Sequence, residues 1–289
     1  MQQLITSKQW QQYDRDGYLM LGQLLDNEQL SALKQRLDDI MLGKAPVDYD
    51  RMVMQREAES GQYNQPGPQT PGFKGSTLNY RVVYGLEYDS LFLEYIQRPI
   101  FREICEHVYG PETGIATYRA FVMNKPARGG SQLGWHQDRW TFLKPDPLIT
   151  VWTALDPATK ENACVQIIPG SHRSGIINPS DESGFLTTEQ QLAEHCQSEK
   201  IVHVELKPGE VALLHNWLLH SSGVNDTDIS RRGFSACYMD ARTRDTRPQE
   251  ERASLYDQKN GYPVIFGEKA LTPETVGGNM KSARQPSHS

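Results

Sequence analysis

LITVWTAL, residues 148–155, decides the fold class. The run is rich in β-branched and aromatic side chains, the types that suit a pleated, buried surface. Working outward, the same texture recurs in ATYRAFVMN (116–124), CVQII (164–168), IVHVEL (201–206), EVALL (210–214) and GFSACYMD (233–240). Lys207-Pro208-Gly209 punctuates the series as a turn. Six short strands with almost no helix between them predict an antiparallel sandwich or jelly roll. Residues 175–200 interrupt the series with a polar stretch and a short helix opened by Thr188 and Gln191, a segment suited to act as a lid.

The first 115 residues read differently. Ser7 is a candidate cap for a helix through Asp16, and Gly17–Leu21 reads as a strand. Asp26 and Gln29 form a capping-box pattern, and Leu30, Leu33, Leu37, Ile40 and Met41 recur at helical spacing up to a stop near Gly43. The Pro/Gly-rich run SGQYNQPGPQTPGFKGS marks residues 44–85 as a long loop. Helices are expected over Ser90–Gln97 and Pro99–Tyr109, with Pro99 at a first helical position and Gly110 as a stop. The expected organisation is one domain over 1–289. It comprises a helical N-terminal part (1–115), a jelly-roll core (116–241) and a polar C-terminal extension (242–289). The fold class is thus mainly β with flanking helices.

Composition narrows the function. The chain has 289 residues, 37% of them hydrophobic, enough for a sizeable core, which excludes wholesale disorder. Lys and Arg number 30 against 36 Asp and Glu, for a net charge of −6 with no block of like charge. That balance argues against nucleic acid or an anionic membrane as partner. No apolar run is long enough to span a bilayer, and MQQLITSKQW lacks the features of a secretory signal. Cys105, Cys164, Cys196 and Cys237 form no CxxC pair and read as reduced core thiols, so a cytoplasmic location is expected.

The chemistry concentrates at Trp135-His136-Gln137-Asp138. On a strand, residues two apart share a face, so His136 and Asp138 can reach one metal from one side. A third ligand must come from elsewhere. His215 and His220 flank Asn216-Trp217-Leu218-Leu219, and spacing alone does not choose between them. Two histidines and one carboxylate with open positions make the facial triad of non-haem Fe(II) oxygenases. A lone HxD is weak evidence, and a zinc-dependent or non-catalytic cupin-like binding protein is the competing reading. His203, His107 and His288 sit in contexts that suggest no ligand role.

Taken together, W-H-Q-D (135–138), V-W-T-A-L-D (151–156), E-N-A-C (161–164), P-G-S-H-R (169–173), L-H-S-S-G-V-N (219–225) and Arg231 resemble the phytanoyl-CoA dioxygenase family of Fe(II)/2-oxoglutarate oxygenases. The likeness spans roughly 10–240 and is densest over 118–240. It implies a double-stranded β-helix (jelly-roll, cupin-like) core and iron held by His136, Asp138 and His220. It also implies 2-oxoglutarate bound by Arg231, Ser222 and Trp152, with O2 as the second cosubstrate. The planar guanidinium of Arg231 suits the distal carboxylate. Ala163 departs from the family's usual Gly in the E-N-G-C turn. Arg232 is read as solvated or structural, and Ser171-His172-Arg173 as a structural turn.

A carboxylate at Asp138 also favours hydroxylation over halogenation, because halogenating relatives carry a small residue there. The expected reaction is hydroxylation of a C–H bond in a small metabolite or natural-product intermediate, releasing succinate and CO2. An acyl-CoA is the alternative substrate. Arg139, Trp140 and Tyr84 are candidate substrate contacts, Arg139 alternatively forming a surface salt bridge, and Tyr80 and Arg81 are candidates for the entrance. The expected partner is a small molecule, with no nucleic acid or membrane, and the chain a monomer or homodimer.

Overall fold

The computed structural model describes residues 4–57, 67–178, 186–196, 200–248, 250 and 262–278. Parts of the expected 44–85 loop, of the 175–200 segment and of the C-terminal extension lie outside them.

Two antiparallel sheets face each other. The larger has nine strands. Its order runs β1 (Tyr18–Gln23), β11 (Glu210–His215), β8 (Ile149–Ala154), β13 (Arg231–Asp240), β5 (Ile115–Lys125), β4 (Tyr80–Tyr84), β2 (Val53–Arg56), β3 (Thr70–Pro71). The ninth strand, β15 (Val264–Phe266), also pairs with β5. The smaller sheet is ordered β10 (Val202–Val204), β9 (Val165–Ile167), β12 (His220–Ser222), β6 (Leu133–His136). A ribbon joins β7 (Leu143–Lys144) to β14 (Arg244–Asp245). The architecture is the expected jelly roll with flanking helices.

Strand periodicity sorts the large sheet's side chains between two cores. Ala120, Val122, Ile149, Val151, Val211, Leu213, Phe234, Ala236 and Tyr238 face the helices and join one apolar cluster. That cluster takes in Leu33, Leu37 and Ile40 of α2 (Asn27–Met41), Phe92 and Ile96 of α3 (Ser90–Ile96), and Phe101 and Ile104 of α4 (Pro99–Tyr109). The alternate residues point at the smaller sheet. There Trp152, Ala154, Ala212 and Leu214 meet Val165, Ile167, Val204 and Leu218. A sheet covered on both faces has little polar alternation, which is why these strands read as continuous apolar runs.

The helices follow their caps. Thr6, not Ser7, caps α1 (Ser7–Asp16), with Gln9 closing a capping box. Asp26 and Gln29 form the second box as expected. Thr188 and Gln191 form a third, opening α5 (Glu189–His195).

The expected loop over 44–85 is a correction. Its described residues hold a 3-10 turn (Tyr49–Arg51) and strands β2, β3 and β4. Val53 pairs with Tyr84, and Tyr84 in turn with Phe121 of β5, so this extension continues the large sheet beyond β5 and forms one wall of the site. The strands are short and the Pro/Gly-rich run separates them, so their apolar residues show no local periodicity. Their pairing depends on register with β5. The C-terminal extension contributes β14, β15 and α6 (Pro273–Gly278).

Candidate metal centre

His136 and His220 occupy facing positions on β6 and β12. Strand β6 ends at His136, so Asp138 is not placed by strand alternation. Its backbone N–H instead donates to the Asn216 carbonyl at 2.7 Å, which turns the carboxylate back toward the histidines. The result is a cluster of one ligand atom each from His136, Asp138 and His220, all within 4.8 Å of one another. Each carboxylate oxygen lies 3.9 Å from one imidazole Nε2.

The imidazoles are held in one tautomer. Nδ1 of His136 lies 2.8 Å from the Gly134 carbonyl, and Nδ1 of His220 lies 2.9 Å from that of Leu218. A carbonyl only accepts, so Nδ1 carries the proton and the Nε2 lone pair faces the centre. Burial, with His220 alongside, pushes the His136 pKa down to about 3, keeping it a neutral donor. Two neutral nitrogens, one carboxylate and open sides fit a divalent ion such as Fe(II).

His215, the competing candidate, is turned elsewhere. It ends β11, before the turn that leads into β12, and its Nδ1 accepts the Trp217 N–H at 3.0 Å. Its ring packs near His172 and Tyr13.

Arg231 opens β13 and points into the same space. It is 1% exposed. Its Nη2 donates to the Ala163 carbonyl at 2.8 Å, while Nε has no hydrogen-bond partner among the described residues. Burial lowers its pKa to about 10, so it stays cationic at neutral pH. A buried guanidinium with an unmatched N–H is a place for an anion. Its carbon lies 5.8 Å from the Trp152 ring centroid. Trp152 in turn lies flat on Gly233, where an added Cβ would come within 2.5 Å of the ring.

The turn that supplies the Ala163 carbonyl is built for the purpose. Ala163 has φ +63°, the left-handed region that favours glycine. The departure from the family's Gly is therefore real backbone strain. Asn162 braces this turn, accepting from the Thr159 N–H and donating to the Pro157 carbonyl. Ser171 Oγ accepts the Leu219 N–H at 2.9 Å, so the P-G-S-H-R turn supports β12 structurally. Arg232, on the opposite face to Arg231, pairs with Asp156 and Asp38 as a structural ion pair.

A cavity of about 340 Å³ contains the centre. All nine candidate site residues line it: His136, Asp138, His220, Arg231, Ser222, Trp152, Arg139, Trp140 and Tyr84. Arg139 also sits 3.7 Å from Asp146, so the salt-bridge alternative holds alongside the lining role. Arg81 lines the wall, whereas Tyr80 is wholly buried and holds the Gly75 and Lys74 backbone. Sequence reasoning missed Gln55, Gln69 and Arg119. Gln55 and Gln69 fall within the expected loop. Arg119 was hidden because both faces of β5 are buried, so its strand gave no sign of which face meets the site.

Fold and centre together define the double-stranded β-helix class of oxygenase. The family model described as Phytanoyl-CoA dioxygenase (PhyH) matches residues 13–233. The chain belongs to this family of Fe(II)- and 2-oxoglutarate-dependent dioxygenases. It is similar to the Caenorhabditis elegans "Probable phytanoyl-CoA dioxygenase", at 24% identity over 81% of this chain and 75% of that one. It is also similar to the Danio rerio "Phytanoyl-CoA dioxygenase domain-containing protein 1", at 27% identity over 82% and 91%. Among solved structures, EctD from S. alaskensis with 2-oxoglutarate and 5-hydroxyectoine superposes with a TM-score of 0.70, at 19% identity over 94% and 89%.

Proposed function

We propose that this protein hydroxylates an unactivated C–H bond in a small metabolite or natural-product intermediate, consuming 2-oxoglutarate and O2 and releasing succinate and CO2. One observation carries the reading: the buried, partly unmatched guanidinium of Arg231 shares one cavity with the His136–Asp138–His220 cluster. A zinc hydrolase of this fold does not need that cation, and a protein that only binds an anion does not need the His136–Asp138–His220 cluster beside it.

In this reading His136, Asp138 and His220 hold iron, which supplies O2 activation coupled to oxidative decarboxylation of 2-oxoglutarate. The Nδ1–carbonyl bonds orient both imidazoles, and Asp138 fills a position that a halide would otherwise take. Arg231 receives the distal carboxylate of 2-oxoglutarate, with Ser222 and Trp152 beside it. Trp152, Val165 and Leu214 keep this end of the cavity dry, strengthening the ion pair. Tyr84, Arg139 and Trp140 line the part left for substrate. Residues 1–289 act as one domain around this centre.

No helix among the described residues is long and apolar enough to cross a membrane. A cytoplasmic monomer or homodimer without nucleic-acid partners completes the proposal.

The test is anaerobic addition of Fe(II) and 2-oxoglutarate to the apoprotein, watching for the visible metal-to-ligand charge-transfer band. Wild type should show it and His136→Ala should not. Folded, metal-loaded wild type without a band would sink the oxygenase reading.

A further inference from the structure

Asp138 is the ligand of the proposed iron centre that lies beyond the end of its strand, since β6 stops at His136. The turn between β11 and β12 takes over its placement. Three successive carbonyls of that turn serve the centre. The Asn216 carbonyl accepts the Asp138 N–H at 2.7 Å, and that of Trp217 accepts from the Gln137 side-chain amide at 2.7 Å. The Leu218 carbonyl accepts from His220 Nδ1 at 2.9 Å. One stretch of backbone thus aims two of the three ligands.

The turn is closed by its own backbone, the Leu218 N–H donating to the His215 carbonyl at 2.9 Å. The Asn216 side chain fastens it to the large sheet. Its Oδ1 accepts from the Thr150 hydroxyl at 2.8 Å, and its Nδ2 donates to Cys237 Sγ at 3.4 Å. Thr150 and Cys237 face each other across β8 and β13, and all three side chains are buried. A side-chain amide accepts and donates at once, so asparagine matches both partners. Buried groups of this kind are costly to leave unmatched, which holds Asn216 to one orientation.

We propose that Asn216 is a positioning residue of the metal centre. Set between Thr150 and Cys237, it fixes the 216–218 turn against the large sheet, so that Asp138 and His220 meet His136 at the spacing of a single ion. The inference rests on the reading of this cluster as an iron site.

The experiment titrates Fe(II) alone into oxygen-free protein and then adds 2-oxoglutarate. It compares wild type with Asn216→Leu, Thr150→Val, Thr150→Ser and Ile104→Val. Asn216→Leu keeps the bulk and loses both hydrogen bonds, so it should bind Fe(II) about 10–100-fold more weakly, the usual effect of losing an outer partner of a metal ligand. Thr150→Val should lose about tenfold, the low end of that range. At saturating Fe(II) and 2-oxoglutarate the charge-transfer band should shift in wavelength in both variants, a change that lost stability by itself does not produce. Thr150→Ser keeps the hydroxyl and should return both readouts toward wild type. Ile104→Val thins the helical core away from the centre. Its melting temperature should fall while its iron affinity and band stay as in wild type.

Wild-type iron affinity and an unmoved band in Asn216→Leu and Thr150→Val overturn the assignment. An equal loss of iron affinity in Ile104→Val does so too, because the effect would then be one of general stability. Should Asn216→Leu fail to fold, the two Thr150 variants decide the matter. Wild type that binds Fe(II) but shows no band sinks the oxygenase reading alone, and the iron titrations still decide the role of Asn216. Wild type that binds no Fe(II) overturns both.

Discussion

His136 and His220 sit directly opposite each other across an antiparallel strand pair, with ring centroids 4.1 Å apart and planes inclined at 47°. Each ring is tied by Nδ1 to a carbonyl two residues earlier in its own chain segment. The donor pair is thus organised before any ion arrives. Losing an outer hydrogen-bond partner of a ligand typically weakens metal binding 10–100-fold, and removing the ligand itself should reach at least the upper end, about 100-fold. We expect His136→Ala and His220→Ala to lower Fe(II) affinity by that much, measured by anaerobic titration. His215→Ala should leave it within about threefold, since that ring serves the Trp217 N–H instead.

Arg231 sets function against stability. Its side chain is buried with one matched N–H and no acidic partner among its hydrogen bonds. Replacing a buried ionic group by an apolar one of similar volume is often neutral or stabilising. Arg231→Met should bind 2-oxoglutarate at least about thirtyfold more weakly. By denaturant unfolding, the apoprotein should fall between no change and a gain of about 2 kcal/mol. A clear loss of apoprotein stability would mean that the guanidinium is structural.

The legibility of this site in the sequence followed chain locality. His136 and Asp138 are close in sequence, and His220 lies in a compact run with Ser222 and Asn225, so their association showed in the letters. Choosing His220 over His215 needed the family resemblance, because the turn at 216–219 that separates their strands leaves no periodic trace. The wall formed by β2, β3 and β4 stayed hidden for a different reason. Its strands reach β5 only through β4, each pairing with the next, and a Pro/Gly-rich run breaks their pattern. Arg119 shared that fate: along β5 nearly every residue is buried, so alternation carries no information about which side faces the iron ligands. Gly233 was equally silent, since its role is visible only once Trp152 lies on it.

Ala163 offers a test of strain at the turn that holds Arg231. A left-handed conformation costs an L-residue roughly 1–2 kcal/mol. Glycine removes that cost but gains about 0.4–1 kcal/mol of unfolded-state freedom. The difference leaves Ala163→Gly more stable by about 0.5 kcal/mol, a rise in melting temperature of about 1–2 °C. The Ala163 carbonyl, not its side chain, meets Arg231, so 2-oxoglutarate affinity should be unchanged in the same variant. A lower melting temperature would show that the Ala163 methyl group contributes packing that outweighs the strain.

His215 predicts how the apoprotein responds to acid. Burial, reinforced by neighbouring His172, pushes its pKa from 6.5 down to about 4. In the unfolded chain the imidazole takes up a proton near 6.5, while in the folded protein it stays neutral until about 4. The unfolded state therefore binds more protons throughout that window, and stability must fall as pH falls. The contribution of neutral His215 is complete above 6.5, declines below it, and is exhausted below about 4. Between pH 7 and pH 5 it amounts to roughly 1–2 kcal/mol. His215→Asn removes the titrating group, so its stability difference between those two pH values should be smaller than that of wild type by this amount, read from urea unfolding curves. Buried His136 contributes a slope of the same sign, so the variant should keep part of the acid sensitivity rather than lose it all. Equal pH dependence in wild type and variant would show that the His215 ring gains access to solvent and protonates in the folded state.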